Sequence, residues 1–527
     1  MTAESTPTTR DLNPAQREAV TTTEGPLLVI AGAGSGKTRV ITRRIAHLVE
    51  RGVDPRTILA VTFTNKAARE MRERVEQLVG RGGAQVMTFH AFGARFLRGE
   101  AHALGRPATF TLYDRGDAES AIKKCLDELK LDRNQYAPRA VLEAIGVYKS
   151  RLMDPRAAME ASLSRWEEDV AEVYERYERL LEASGAFDFD DLIQKTVLLM
   201  ETDPELRSRI QRAFRYVLVD EYQDVNLGQY RLTRALAEEH GNLCVTGDPD
   251  QCIYGWRGAE IRYILDFPRE FPGAKVVRLE QNYRSVNTIL RAASRVIRFN
   301  GQHGDKELWS DLGEGGPIVI RRVEDEQEEA KAVVDRIRTL VAEGARRSDI
   351  AVFYRLNSLS LDVERRLLAA GIPYQVVAGL EFFRRKEVKD ALAWMRFLAN
   401  PADGVSMARI VNSPPRGIGD KTLEGLAAAA RGRGTSPGEL LLEHPDALEV
   451  FAARARKALL AFRRLVLELR GELGLPVARL LRHVLDRSDY AAHLKEKSDG
   501  LDPLGNLERL VGFARDFDLG PSTTGLV

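Results

Sequence analysis

Short apolar runs and amphipathic stretches alternate along the chain as far as Glu280. Leu27–Ile30 (LLVI), Ile58–Val61 (ILAV) and Tyr216–Val219 (YVLV) are unbroken or nearly unbroken hydrophobic quartets, the pattern of strands buried on both faces of a parallel sheet. VITRRIAHLV, beginning at Val40, keeps its apolar residues on one helical face, and AIKKCLDELKL and VAEVYERYERLL do the same. The pattern predicts an α/β domain split over 1–95 and 190–280 around a helical insertion at 96–189. A further domain is expected at 281–379. From 380 to 527 the chain reads as helical, RRKEVKDALAWMRFLA being the clearest stretch. With 527 residues the chain is too long for one core.

Composition changes this picture little. The net charge of +1 carries no global nucleic-acid signal, so any such partner must be argued from local sites. No apolar run has the length of a membrane span, and the polar N-terminus MTAESTPTTRDLN is no signal peptide. Cys125, Cys244 and Cys252 form no C-x-x-C pair, which argues against a disulfide framework or a zinc site. The expected location is cytoplasmic.

The first strand runs into AGAGSGKT, Ala31 to Thr38, and then into a helix. Strand, glycine loop, Lys-Thr and helix together make a phosphate-binding loop, and such loops cradle ATP with Mg²⁺. Ala33, Gly34, Ser35, Gly36, Lys37, Thr38 and Arg39 are the expected nucleotide contacts, with Lys37 on the β- and γ-phosphates and Thr38 on Mg²⁺. Ala31 stands where the motif's first glycine is usual. YVLV ends in DEYQD, Asp220 to Asp224. Asp220 at a strand end suits Mg²⁺, and Glu221, also near the metal, suits the base that takes a proton from the attacking water.

LNPAQREAV, AGAGSGKT, VTFTNKAAREM, TFHAF, FDFDDL, VDEYQD, GDPDQCIYGWRGA and LEQNYRS follow one another in this order. In these motifs the chain resembles the superfamily 1 DNA helicases, most closely the UvrD/Rep/PcrA group, over nearly its whole length. The resemblance implies two RecA-like motor domains, each carrying a helical insertion. It implies Gln16 on the adenine edge, Tyr283 stacked on the adenine, and Arg284 reaching the γ-phosphate. Gln251 is then the residue that orients the water and senses the phosphate. The implied activity is an ATP-dependent helicase moving 3′→5′ on single-stranded DNA, in repair or replication. The implied partners are single strands and junctions with duplex, with repair proteins in addition; a monomer or weak dimer near the nucleoid is expected.

Several aromatics and donors at strand ends suit a nucleic-acid backbone or unpaired bases. Phe63, Thr64 and Asn65 follow one strand, and Thr88, Phe89 and His90 another. Phe189 reads equally as core. Tyr254, Trp256 and Arg257 sit in a glycine-bounded turn with Gln251, where aromatic faces suit stacking on bases and where a buried tryptophan anchor is the structural alternative. Arg355 and Asn357, expected after a strand, resemble the second domain's single-strand contacts. Gly417 and Gly419 in PPRGIGDKTLEGL form a tight turn before a helix N-capped near Asp420, a geometry able to hold a duplex phosphate and equally that of an ordinary helical hairpin.

The chain departs from the family pattern toward its end. No T-x-H-x-x-K-G-x-E-like motif and no late arginine motif occur. The second motor domain is therefore expected to be incomplete, with half its sheet. Two other functions fit that departure: a helicase–nuclease subunit whose nuclease lies elsewhere, and a fragment that binds DNA and ATP without cycling.

Overall fold

In the computed structural model, residues 8–80, 83–300, 306–376, 381–497 and 502–519 are described. Among these described residues eight strands form: β1 (Leu27–Ala31), β2 (Ile58–Thr62), β3 (Gln85–Thr88), β4 (Thr111–Leu112), β5 (Ala186–Phe187), β6 (Tyr216–Val219), β7 (Leu243–Gly247) and β8 (Lys275–Leu279). Six pair in parallel in the order β3-β2-β6-β7-β1-β8, and β4 pairs with β5 in a separate two-stranded sheet that the hydrophobic pattern does not announce.

The apolar quartets behave as their composition dictates. Every residue of β2, β6 and β7 is buried, whereas β8, on the sheet's edge, alternates. Side-chain alternation then builds two cores. Leu28, Leu59, Val217 and Val245 face a cluster with Phe92, Phe96 and Leu236, while Val29, Ala60, Leu218 and Val277 face Val40, Ile45 and Met71. Four helices frame the site: α1 (Pro14–Thr21), α2 (Lys37–Glu50), α3 (Asn65–Val79) and α4 (Phe89–Glu100). Asn13 and Gln16 close α1 with a reciprocal capping box, and Thr64 and Thr88 cap α3 and α4 through their hydroxyls.

The helices Arg115–Glu128, Pro138–Ser150 and Arg165–Ala183 pack around Tyr174, Tyr177 and Ile122. Lys149 anchors this group. Its side chain is fully buried and its ammonium lies 2.7 Å from Glu178 and 2.8 Å from both Asp188 and Asp191. Burial works against that charge, but the three carboxylates outweigh it and hold the ammonium well above the usual lysine range.

The chain gathers into two compact units, Met1–Glu314 with Lys386–Val527, and Gly315–Arg385. In the first, the later helical region docks on the earlier insertion. Tyr113 donates to Asp403 at 3.0 Å, Lys389 pairs with Asp114 at 3.0 Å, and the Asn400 amide donates to the Ser184 carbonyl at 2.9 Å.

The second unit corrects an expectation. Among its described residues regular structure is helical, with Glu326–Ala342 and Ser360–Ala369 packed through Val334, Ile337 and Leu367. Among the described residues the strand expected before Arg355 and Asn357 is not formed, and no other strand stands in this unit. Val319, Ile320 and Phe353 have the composition of strands but are 83%, 92% and 92% exposed. A strand needs a neighbour to satisfy its backbone groups, and none of the described residues supplies one there. Arg355 and Asn357 lie exposed in this unit, Asn357 opening a single 3₁₀ turn.

Candidate nucleotide site and nucleic-acid interface

The loop between β1 and α2 sits at the carboxyl end of a central strand, flanked by β7 and β8, where open parallel sheets bind ligands. Gly34 and Gly36 take φ of +78° and +95°, a region open to glycine, and Gly36 caps α2 without any side-chain bond. A Cβ on Gly36 would lie 2.8 Å from the Gln16 amide nitrogen, and one on Gly34 would lie 2.7 Å from Asn282. The cradle thus has backbone and no side chains at its turn, as a phosphate requires.

Across the cradle, Asp220 and Glu221 end β6. Asp220 is 4% exposed and accepts from the Thr246 hydroxyl at 2.7 Å and from the Glu221 N–H at 3.0 Å. Burial and the adjacent Glu221 push its carboxyl up to about 6. Glu221 adopts a left-handed conformation at φ 53° and ψ 44°, uncommon for a glutamate, which turns its side chain toward Lys37. The Lys37 ammonium lies 3.1 Å from Glu221 Oε2. Two carboxylates beside one lysine leave negative charge that suits a divalent cation. Among the described residues no group of three or more His, Cys, Asp or Glu is arranged to hold a metal by itself. Mg²⁺ with few protein carboxylates and a nucleotide's phosphates fits this donor set, with Thr38 the hydroxyl beside Lys37.

Gln223 joins these acids to the loop that follows β7. Its amide nitrogen donates to Glu221 at 3.1 Å and Asp224 at 3.2 Å, and its carbonyl accepts the Asp248 N–H at 2.9 Å. Asp248 in turn accepts from the Gln251 amide and pairs with Lys306. Gln251 is therefore one hydrogen bond from Asp248 and three from Glu221.

Tyr283 and Arg284 also reach this region. The Tyr283 N–H donates to the Gly34 carbonyl at 2.9 Å, and its hydroxyl accepts from Asn13 at 2.9 Å and donates to Gln281 at 2.8 Å. Arg284 places its Cβ where a Gly34 side chain would be. Gln16 is placed differently from an adenine reader that stands free. It is fully buried, its nitrogen donating to the Ser35 carbonyl at 3.0 Å and its oxygen accepting the Asn13 N–H at 3.3 Å. In this arrangement it braces the phosphate loop, and those two bonds use one of its two amide N–H groups and one of its two oxygen lone pairs.

The candidate nucleic-acid residues divide by burial. Trp256 is 72% exposed, Phe189 48%, and the Arg257 guanidinium lies 4.5 Å from the Trp256 ring centre and 5.4 Å from that of Tyr254. Phe63 is half-buried with its edge on Phe89, while the His90 ring lies 6.1 Å from Phe189 and is held below its usual pKa by burial. Thr64 and Asn65 are exposed at the start of α3. Phe89 is only 2% exposed and belongs to the sheet's core, which leaves it no free face for a base; it supports Phe63. Thr88 is also buried, its hydroxyl accepting the Ala91 N–H at 3.1 Å. Gly417 has φ +76°, and Gly419, one residue earlier than expected, is the cap of the helix Asp420–Arg433 with no side-chain bond of its own.

Sequence reading missed Asn282, Thr246, Gln223 and Lys306. Asn282 is 2% exposed, donates to the Ala33 carbonyl at 2.5 Å and accepts the N–H groups of Arg284 and Ser285, each at 2.8 Å. Its place beside Tyr283 was a signal; for Thr246 and Lys306 only the fold gives one.

A parallel sheet, a glycine cradle and an acidic strand end facing its lysine define a P-loop nucleotide-binding protein of the α/β class. Two family models match the chain, the UvrD/REP helicase N-terminal domain over residues 12–272 and the UvrD-like helicase C-terminal domain over 277–443. The chain is 43% identical to the ATP-dependent DNA helicase PcrA of Bacillus subtilis (strain 168), covering 96% of this chain and 69% of that protein. It is 44% identical to the ATP-dependent DNA helicase UvrD1 of Mycobacterium tuberculosis (strain ATCC 25618 / H37Rv), covering 96% of this chain and 68% of that one. The chain belongs to the UvrD/REP helicase family.

Proposed function

We propose that the protein is an ATP-driven motor that moves 3′→5′ along single-stranded DNA and unwinds duplex ahead of it, in DNA repair or replication. One observation carries this reading. A single loop, Gly247 to Gly258, holds at one end the acid and amide wired to Glu221, and at the other the Tyr254–Trp256–Arg257 cluster, with Tyr254 half-buried and Trp256 and Arg257 exposed. Chemistry at the phosphates and grip on a base are thus linked through a dozen residues of backbone.

When bound, Mg²⁺ supplies positive charge at the reacting phosphates. The chain's own residues do the rest. Gly34 and Gly36 shape the cradle, and Lys37 leaves Glu221 to neutralise the incoming phosphates. Glu221, released from that pairing, accepts a proton from the attacking water. Gln251 orients that water once its amide leaves Asp248. Arg284, whose Cβ lies beside Gly34, meets the terminal phosphate in this reading. The exposed aromatics stack on unpaired bases without regard to sequence, as a moving motor needs.

Strand displacement on duplexes with a 3′ or a 5′ single-stranded tail tests the proposal. ATP-dependent unwinding of the 3′-tailed substrate alone is expected. Unwinding from the 5′ tail would reverse the assigned direction, and ATP turnover indifferent to DNA would remove the motor reading.

A further inference from the structure

The segment Lys306–Ser310 (KELWS) has no role in the mechanism above, yet it touches three parts of the nucleotide site. Its backbone is zipped to the strand extension carrying Tyr283: the Asn282 N–H donates to the Trp309 carbonyl at 2.7 Å, and the Trp309 N–H to the Glu280 carbonyl at 3.2 Å. Its Leu308 side chain covers the phosphate loop so closely that a Cβ on Gly32 would lie 2.7 Å from Leu308 Cδ2. Its Lys306 ammonium pairs with Asp248 and lies 2.9 Å from Asp250.

That lysine is buried, with side-chain exposures of 7% for Lys306, 4% for Asp248 and 8% for Asp250. Burying three charged groups together, two on the loop and one on the segment beside it, is unfavourable unless the charges are matched. Removing Lys306 takes away the ammonium that bridges Asp248 and Asp250 within the site that receives a polyphosphate. Asp248 is also the acceptor for the Gln251 amide and is tied through its N–H to Gln223. The cation therefore fixes the very carboxylate that sets where Gln251 points.

We propose that Lys306 is a positioning residue of the hydrolytic site: it clamps Asp248 and Asp250, and so fixes the loop bearing Gln251, from a segment that Leu308 seats on the phosphate loop. The proposal rests on the ATP-hydrolysing reading above. Lys306 acts through Asp248, so its loss should affect the rate of turnover more than nucleotide capture, for which Lys37 and the glycine cradle suffice.

The test compares the full chain with Lys306→Met and Lys306→Arg, with Lys37→Ala as control. In Lys306→Met, kcat for single-strand-stimulated ATP turnover should fall about 10- to 100-fold while KM and the affinity for a fluorescent ADP analogue stay within about threefold. Amide hydrogen exchange should rise about 10-fold or more over residues 248–252 and stay unchanged in α2. Lys306→Arg, which keeps the cation, should recover most of the rate and the exchange protection. Lys37→Ala should instead lose analogue binding. Turnover within twofold of wild type, or unchanged exchange at 248–252, overturns the proposal. So does exchange that rises throughout the first unit together with a large melting drop, and an Arg variant as impaired as the Met variant. Wild-type protein with no ATP turnover overturns the hydrolytic reading and the proposal together, whereas turnover in wild type with an unaffected Met variant overturns the proposal alone.

Discussion

Lys37 and Glu221 form an ion pair at 3.1 Å, so the cation that should hold phosphate and the base that should activate water are satisfied by each other. Lys37 is nearly buried and Glu221 about one-third exposed, which makes the lysine the less replaceable partner. On the proposed function, nucleotide entry would do two things at once: take the lysine and free the carboxylate. An empty site is in this way held away from a water-activating state.

The two residues should consequently fail differently when replaced. Lys37→Ala loses nucleotide affinity and turnover together. Glu221→Gln keeps ATP and DNA binding while turnover drops roughly 10²-fold or more, because only the proton acceptor is gone. Equilibrium binding of a fluorescent ATP analogue beside steady-state ATPase separates the two, and loss of affinity in Glu221→Gln would contradict its role.

Exposure bears on the two readings of Trp256. A core anchor would be buried, and this ring is 72% exposed with Arg257 against it. Trp256→Ala should leave the melting temperature nearly unchanged and weaken single-strand affinity by about 1–3 kcal/mol, roughly 5- to 150-fold, with a matching loss of DNA-stimulated ATPase. Tyr254→Ala should act alike, and the double variant should be non-additive, since both rings serve one strand. Thermal melts run beside anisotropy titrations check this; a large melting drop would return Trp256 to the core.

Stacking groups beside backbone-type donors favour unpaired strands of any sequence. Mixed-sequence single strands and tailed junctions should bind more tightly than blunt duplex, and more weakly as salt rises. Equal affinity for blunt duplex in the same anisotropy assay would refute the mode.

Much of the site was legible in the chain because its residues are contiguous. The glycine loop, the acids after YVLV and the aromatic turn each declare themselves within a dozen residues, and the apolar quartets locate the strands that carry them. What sequence concealed depends on distance along the chain. Thr246 meets Asp220 and Lys306 meets Asp248 only because parallel pairing brings the ends of β1, β6, β7 and β8 to one edge. Phe89 misled for a related reason: an aromatic at a strand end looks the same whether it turns to solvent or, as here, under the sheet. The hydrophobic segment around Phe353 misled in the opposite sense, since composition promises a strand and only a partner makes one.

Asp220 gives a dependence on pH in the metal- and nucleotide-free protein. Its folded carboxyl lies at about 6 against an ordinary 3.8, so the folded state holds the proton more tightly than the unfolded chain. Below the ordinary value both states are protonated and nothing is lost; from there up to about 6 the burial penalty grows, and above it the penalty is complete. Asp220→Asn removes the charge and should stabilise the metal-free protein by up to about 3 kcal/mol at pH 8, the gain shrinking to near zero by pH 4. Chemical denaturation with EDTA at several pH values measures it; a gain that is flat with pH would refute the assignment.

Lys149 reaches its three carboxylates from the middle of the insertion: Glu178 lies on the insertion's longest helix, while Asp188 and Asp191 flank the point where the chain rejoins the sheet-bearing core. Separating those parts would strand a fully desolvated cation, so the insertion has no soft joint at that end. The insertion and the core beneath it should open as one cooperative unit, and slow amides in Pro138–Ser150 and Asp191–Thr202 should exchange with a common free energy. Any swing the motor makes must then be taken up outside this seam, which tells an engineer where a sensor or a linker will be tolerated and where it will not.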